Sequence, residues 1–331
     1  MESEIVLPIW DNKTEAADVA LALQEHIRGK NVLITGCTIG GLGFEAAKCT
    51  AQFANLVILA GSNADRLNAA KDSITSTFPD ARIRILIVDL ASFESVRHAA
   101  RDVNAYPEPL HVLINNAAAR IGPYVITKEG HESQFGVNHL AHFLFTALLY
   151  EKLLASGSPN FPPRVVTIAS DGHRAFDNRG IHFDDLNFGN GKTYDNYHAY
   201  AQAKTANLLF MGELARRIDP KRLLSISVQP GAIWTNSSAN TLKEDYIRMG
   251  AMDANGNFTG MFNWATMGSG AAKYLVAGFD PRLRDYSGAY ITNDCQIHNE
   301  QIAPYASDPI AAKHLWELSE AIVHQPFLPS P

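Results

Sequence analysis

Two residues four positions apart carry the strongest chemical signal in this sequence. In "YAQAK", Tyr200 and Lys204 fall inside a helical pattern over 196–217. On a helix, residues i and i+4 share a face, with Cβ atoms about 5–6 Å apart. A phenol titrates near pH 10 in water, so acid–base work near neutrality needs a shift of about three units, or about 4 kcal/mol. One ammonium at about 5.5 Å, with an effective dielectric of about 20, supplies about 3 kcal/mol of that. The pair reads as a proton-transfer device in which Lys204 lowers the pKa of Tyr200. "YVITK" repeats the spacing at Tyr124 and Lys128. It follows Gly122-Pro123 and holds three β-branched residues before Gly130. It therefore reads as a loop or extended segment, where i and i+4 do not share a face.

Two further side chains suit the same chemistry. "RVVTIAS" ends in Ser170, at a strand terminus where a hydroxyl can hydrogen-bond a substrate oxygen. "FGVNHLAHF" places Asn138 inside the helical pattern 131–155. An amide there is mildly unfavourable and invites a functional reason. Taken alone, a structural hydrogen bond is the commoner explanation.

A third signal is a loop. "NVLITGCTIGGLGFEAAK" runs from a strand through glycines into a helix start. Backbone N–H groups at such a turn point at phosphate oxygens, and glycine lets the backbone approach closely. Gly36, Thr38, Gly41 and Leu42 are the candidate cradle residues. At the end of the second strand, a carboxylate would accept hydrogen bonds from the ribose hydroxyls of NAD and repel the 2′-phosphate of NADP. "LAGSNADRL" has no acid at Ala60, Gly61, Ser62 or Asn63. Ser62, Asn63 and Arg66 can donate to a phosphate, which points to NADP(H), with NAD(H) as the alternative.

These residues need a frame. Short β-branched runs at 31–35, 56–60, 82–89, 111–115, 164–170, 223–229 and 288–292 alternate with helical patterns at 43–53, 63–77, 92–105, 131–155, 196–217 and 263–278. Near-continuous apolar strands suit burial on both faces, and strict alternation means a parallel sheet between two helical layers. The expectation is a single-domain, doubly wound α/β Rossmann fold over 30–331, with a sheet of about seven parallel strands and helices on both faces. Residues 1–29 form an N-terminal extension packed on the core. Ligands of such folds sit beyond the carboxyl ends of the strands, where Gly36, Asp89, Asn115, Ser170 and Pro230 fall. The stretch 235–262 breaks the rhythm with Met249, Met252, Phe258, Met261 and Phe262. It reads as a lid over an apolar substrate, or else as a surface excursion that packs its own apolar residues.

Composition sets the outer limits. The chain has 331 residues, 46% hydrophobic, and a net charge of −6 with no run of Lys or Arg, which argues against nucleic-acid binding. The odd set Cys37, Cys49 and Cys295 fits neither a disulfide framework nor a zinc site, so a reducing, cytoplasmic setting is expected. Cys37 reads as a small filler residue. The N-terminus has only six apolar residues in a row, Ile5 to Trp10, too few for a secretory signal. The most apolar helix candidate, 140–155, is too short to span a bilayer. His139 and His142 have no partners at metal spacing, and no metal is expected. His173 and His198 read as loop packing. The patterns 131–155 and 196–217 carry more apolar residues than one buried face needs, which suggests a homodimer through them.

Taken in order, the glycine loop, "VDL" at 88–90, "NNAA" at 115–118, Asn138, Ser170, Tyr200 with Lys204, and "QPGAIWT" at 229–235 resemble the short-chain dehydrogenase/reductase family. "HFDDLNF", "YAQAKTANLLF" and "LWELSE" look like its retinol-dehydrogenase and WW-domain-oxidoreductase side. The usual family loop is Thr-Gly, three residues, Gly-x-Gly. Here four residues separate Gly36 from Gly41, and Gly40 is expected to absorb the extra one with positive φ. The resemblance implies that Tyr200 exchanges a proton with the substrate oxygen while Ser170 orients that oxygen. Lys204 would lower the tyrosine pKa and hold the nicotinamide ribose, and Asn138 would hold a water in a proton relay. It also implies that Asp89 and Leu90 flank adenine and that Asn116 and Ala117 line the cofactor trough. Pro230, Gly231, Ile233 and Thr235 would meet the nicotinamide end. The implied activity is NADP(H)-dependent hydride transfer to or from an apolar carbonyl or secondary alcohol, a ketoreductase of secondary metabolism being one form. The competing class is a catalytically silent dinucleotide-binding scaffold.

Overall fold

The computed structural model describes residues 7–176, 179–239 and 241–327. The first six residues of the expected extension, and Asn240 of the expected lid, lie outside them. Seven strands form one sheet in the order β3-β2-β1-β4-β5-β6-β7: β1 (Asn31–Thr35), β2 (Leu56–Gly61), β3 (Ile83–Ile87), β4 (Val112–Asn115), β5 (Arg164–Ile168), β6 (Leu224–Val228) and β7 (Ala289–Ile291). All neighbours are parallel, with Val32 of β1 level with Val57 of β2 and Val112 of β4. The strand order reverses at β1 and β4, so the crevice opens beyond their carboxyl ends.

Among the described residues, eight helices of seven or more residues flank the sheet: α1 (Ala16–Ala22), α2 (Leu42–Ala51), α3 (Ala64–Thr77), α4 (Phe93–Ala105), α5 (Ala141–Ala155), α6 (Asn196–Arg217), α7 (Met267–Phe279) and α8 (Pro309–Val323). Alternate residues of a strand face opposite sides, and β1 divides on that rule. Val32 and Ile34 enter one core with Ala20 of α1, Ala46 of α2, Ile74 of α3 and Leu275 of α7. Leu33 enters the other, with Val96 of α4, Phe143 of α5, Leu209 of α6 and Trp316 of α8. The near-continuous apolarity of the strands thus follows from two covered faces.

Two helices add to the sequence reading. The extension contains α1, which packs on α7 and α2. Trp10 Nε1 of the extension donates to Asp280 Oδ2 at 2.6 Å. At the other end, α8 lies along α6. Trp316 meets Phe143 at 5.2 Å and stacks on Phe327 at 4.7 Å, and Phe143 meets Phe210 at 5.3 Å. The surplus apolar residues of α5 and α6 are therefore covered by the chain's own C-terminal helix. That removes the ground on which pairing of two copies through 131–155 and 196–217 was expected. No described helix is long and apolar enough to cross a membrane, and the three cysteines are free and buried.

Candidate active site

The tyrosine helix is fixed at its start. Asp195 caps α6, accepting from the N–H groups of Tyr197 (2.9 Å) and His198 (3.0 Å). Five residues into α6, Tyr200 is half-buried, and Lys204 follows on the same face, with Nζ 5.7 Å from the Tyr200 ring centroid. Lys204 Nζ donates to the Ile168 carbonyl at the end of β5 at 2.7 Å, and Asn207 Nδ2 donates to the same oxygen at 3.1 Å. Two residues further, the Ser170 hydroxyl lies near enough to the Tyr200 phenol to lower its pKa and accepts from the Gly172 N–H at 3.0 Å. Gly172 is a residue the sequence reading missed. A Cβ there would sit 2.6 Å from Tyr200 Cε1 and 3.0 Å from Cδ1, so only glycine leaves room for the ring. The Tyr124–Lys128 segment is not helical, as its β-branched residues implied.

The electrostatics differ from the sequence arithmetic. Burial raises the Tyr200 pKa above the usual phenol value, and the Ser170 hydrogen bond offsets part of this. Lys204 is itself buried, and desolvation pulls its pKa down to about 8. The expectation that the ammonium lowers the phenol below its usual range is corrected accordingly. The cost of burying a phenolate outweighs the pull of a partly desolvated cation directed at Ile168. At neutral pH, Tyr200 is a phenol with a proton to give.

Asn138 sits in a π-helical turn, Gly136–Leu140, leading into α5; such turns occur often at functional sites. Its Oδ1 accepts from the Ala119 N–H at 2.7 Å, while its buried Nδ2 has no hydrogen-bond partner. A buried donor of this kind calls for a water or ligand acceptor. His142 braces the turn: Nδ1 lies 3.3 Å from the Asn138 carbonyl and Nε2 lies 3.0 Å from Thr35 Oγ1. A carbonyl only accepts, so Nδ1 carries the proton and Nε2 accepts from Thr35. Burial holds this imidazole neutral, at about 4. Thr35 Oγ1 in turn accepts from the N–H groups of Asn116 (3.0 Å) and Ala117 (2.9 Å).

Beyond β1, β2 and β3 lies a cleft of roughly 230 Å³ that brings together Gly36, Thr38, Ser62, Asn63, Arg66, Asp89, Leu90 and Ala117. Gly36 has φ +77°, and a Cβ there would meet Ala117 Cα at 2.9 Å. Gly40 takes φ +81°, as the longer loop requires. Gly41 caps α2 without any side-chain hydrogen bond, which leaves the first-turn N–H groups of Leu42 and Gly43 open to an anion. By contrast, α3 is capped by Asn63 Oδ1, which accepts from the Arg66 N–H at 2.9 Å. Asn116 supports the trough from beneath. Its Nδ2 donates to the Thr35 carbonyl at 2.7 Å and its Oδ1 accepts from Tyr274 at 2.9 Å. Pro230 and Gly231 are not in this cleft. They line a separate one of roughly 370 Å³ with Lys273 and Asn293, which includes neither Tyr200 nor Ser170. Ile233 is buried against Gly270 of α7. Thr235 is half-buried, with Oγ1 3.4 Å from Ser238 Oγ.

The flanking histidines are structural. His173 Nδ1 donates to the Ser170 carbonyl at 2.6 Å and Nε2 accepts from the Ala303 N–H at 3.1 Å. His198 Nδ1 lies 3.0 Å from Arg179.

Known proteins match the chain over most of its length. The short chain dehydrogenase family profile matches residues 30–176. The chain is 34% identical over 318 residues to short-chain dehydrogenase TIC 32 A, chloroplastic, of Brassica napus, covering 95% of this chain and 94% of that one. It is 34% identical over 319 residues to the WW domain-containing oxidoreductase of Danio rerio, covering 96% and 73%. A solved structure of an uncharacterised protein from Mycobacterium paratuberculosis superposes with a TM-score of 0.69 at 28% identity, covering 92% and 96%.

Proposed function

Because the chain belongs to the short-chain dehydrogenase family, we propose that it is an NADP(H)-dependent oxidoreductase acting on a carbonyl or secondary alcohol of an apolar substrate. One observation carries the reading: Tyr200 beside Ser170 past the end of β5, with Lys204 Nζ on the next turn 5.7 Å from the Tyr200 ring centroid and bonded to the Ile168 carbonyl. The residues fit a dinucleotide. The cleft floor admits no side chain at Gly36, the start of α2 is uncapped, and the donor set at Ser62, Asn63 and Arg66 contains no carboxylate. When bound, the nicotinamide supplies or accepts the hydride.

The chain's own residues supply the rest. In reduction, the Tyr200 O–H gives its proton to the substrate oxygen as charge develops there, while the Ser170 hydroxyl donates to the same oxygen. Lys204 sets a positive field beside the phenolate that forms and is held in place by Ile168. Asn138, with its open Nδ2 donor, holds the water that restores the proton. Oxidation of an alcohol runs these steps in reverse. Exposed Trp234, Leu242, Phe258 and Met261 support an apolar substrate, and the free cysteines suit a reducing compartment such as the cytoplasm.

The test is a panel of bulky ketones and aldehydes with NADPH and NADH, followed at the nicotinamide absorbance. Turnover with NADPH preferred is the expected result. Dinucleotide binding with no turnover across the panel would favour a silent scaffold instead.

A further inference from the structure

The segment 235–262 is tied down at its start and again near its middle, and the two anchors hold different parts of the machinery. At its start, Asn236 donates from its backbone N–H to the Gly40 carbonyl at 3.2 Å and from Nδ2 to the Ile39 carbonyl at 2.6 Å. Both carbonyls belong to the glycine loop, at the residues that make it longer than the family spacing. The fit depends on Gly40: a Cβ there would lie 2.8 Å from Asn236 Oδ1.

Further along, the short helix Lys243–Arg248 grips the first turn of α6. Arg248 binds Asp195 and Asn196, and its guanidinium lies 4.3 Å from the Tyr197 ring centroid. Asn196 Nδ2 donates to Asp245 Oδ1 at 3.0 Å, and the Tyr197 hydroxyl donates to the Asp245 carbonyl. Tyr197 packs on Phe176 at 4.9 Å, and Phe176 meets the Tyr200 ring at 6.0 Å. Around the second anchor, Trp234, Tyr246, Phe258 and Trp264 pack as a group with centroids 5.5–6.2 Å apart.

We propose that Asn236 is a positioning residue that couples closure of this lid to occupancy of the glycine loop. The reason is peptide geometry. A peptide plane that turns its N–H toward a phosphate turns its carbonyl the other way. The Ile39 carbonyl held by Asn236 Nδ2 shares its plane with the Gly40 N–H, whereas the Gly41 N–H already donates to the Thr38 carbonyl at 3.0 Å. Anion binding on the loop and the Asn236 bonds therefore favour the same loop conformation. Two events that favour one conformation strengthen each other, by the same factor in both directions. Loss of one side-chain hydrogen bond weakens the coupling by about two- to tenfold. The extra residue in the loop is the contact through which the lid detects the dinucleotide. This inference rests on the dinucleotide reading above.

The test uses trypsin, because Lys243 and Arg248 are exposed in the lid. Cleavage after these residues is followed by mass in the full chain, with and without saturating NADPH, in wild type, Asn236→Ala and Asn236→Asp. NADPH binding is read separately from nicotinamide fluorescence, and folding from Tm. In wild type, NADPH slows lid cleavage by about fivefold or more. Both variants still bind NADPH, about two- to tenfold more weakly, and at saturation lose most of the protection. If wild type binds NADPH without protection, or the variants are protected equally, the coupling is overturned while the dinucleotide reading stands. If wild type binds no dinucleotide, that reading fails and takes the coupling with it.

Discussion

Gly172→Ala tests how tightly the site holds its acid. The new Cβ would lie 2.6 Å from Tyr200 Cε1, 3.0 Å from Cδ1 and 3.1 Å from Phe176 Cε2. Ordinary carbon contacts begin at about 3.5 Å, so the ring must withdraw by about 1 Å. Phe176 stands on one side of the ring, so the withdrawal carries the phenol away from Ser170 and the reacting oxygen. A displacement of about 1 Å in a positioned group costs about 100-fold in rate. The stability cost is smaller. Overpacking costs about 1–3 kcal/mol, so Tm falls by about 2–8 °C in a chain of this size. Gly172 is outside the 230 Å³ cleft, so NADPH affinity stays within about twofold. Steady-state turnover, nicotinamide fluorescence and a melting curve on one preparation separate these terms. A variant that folds and turns over within about threefold of wild type would refute the argument that this contact positions Tyr200.

Three further outcomes are expected. Lys204 is drawn from its ordinary 10.5 to about 8 by burial, so the folded chain releases that proton before the unfolded chain does. Its penalty is full below pH 8 and is relieved as pH rises toward 10.5. Lys204→Met should therefore stabilise the fold at pH 7 by about 3 kcal/mol, less about 1 kcal/mol for the lost hydrogen bond, and abolish most turnover. Ile168 keeps Asn207 as a donor, and denaturant melts at pH 7 and pH 10 check the sign. Arg66→Ala should raise KM for NADPH by up to about tenfold while leaving NADH nearly unchanged, and Ser62→Asp should move preference toward NADH, both read from initial rates. Trp316→Ala should cost about 3–5 kcal/mol and uncover the apolar face of α5 and α6, so that light scattering shows association in the variant and a monomer in the wild type.

What the sequence revealed follows from where physics leaves a local trace. Tyr200 with Lys204, and Ser170 at a strand end, were legible because a helix repeat and a strand terminus fix where side chains go. The strands were legible because a sheet covered on both faces demands unbroken apolarity. Gly172 left no such trace, since its role is the absence of a side chain beside a ring thirty positions from Ser170. Asn207 and Asn236 are single amides whose partners are carbonyls distant in sequence. The direction of the Tyr200 shift depends on burial, which spacing cannot supply. The covering helix α8 did have a start signal, Asp308 before Pro309, with Asp308 Oδ1 accepting from the Ile310 N–H at 2.9 Å. Its effect on α5 and α6 required the tertiary packing.

The central claim is that Tyr200 gives the substrate oxygen its proton while the bound nicotinamide gives the hydride. Single-turnover oxidation of enzyme-bound NADPH by a reducible ketone, in wild type and Tyr200→Phe, tests it most directly. The account predicts that the phenylalanine variant binds NADPH within about twofold of wild type and transfers hydride about 1000-fold more slowly, the scale of a lost general acid. Hydride transfer at the wild-type rate in that variant would contradict it.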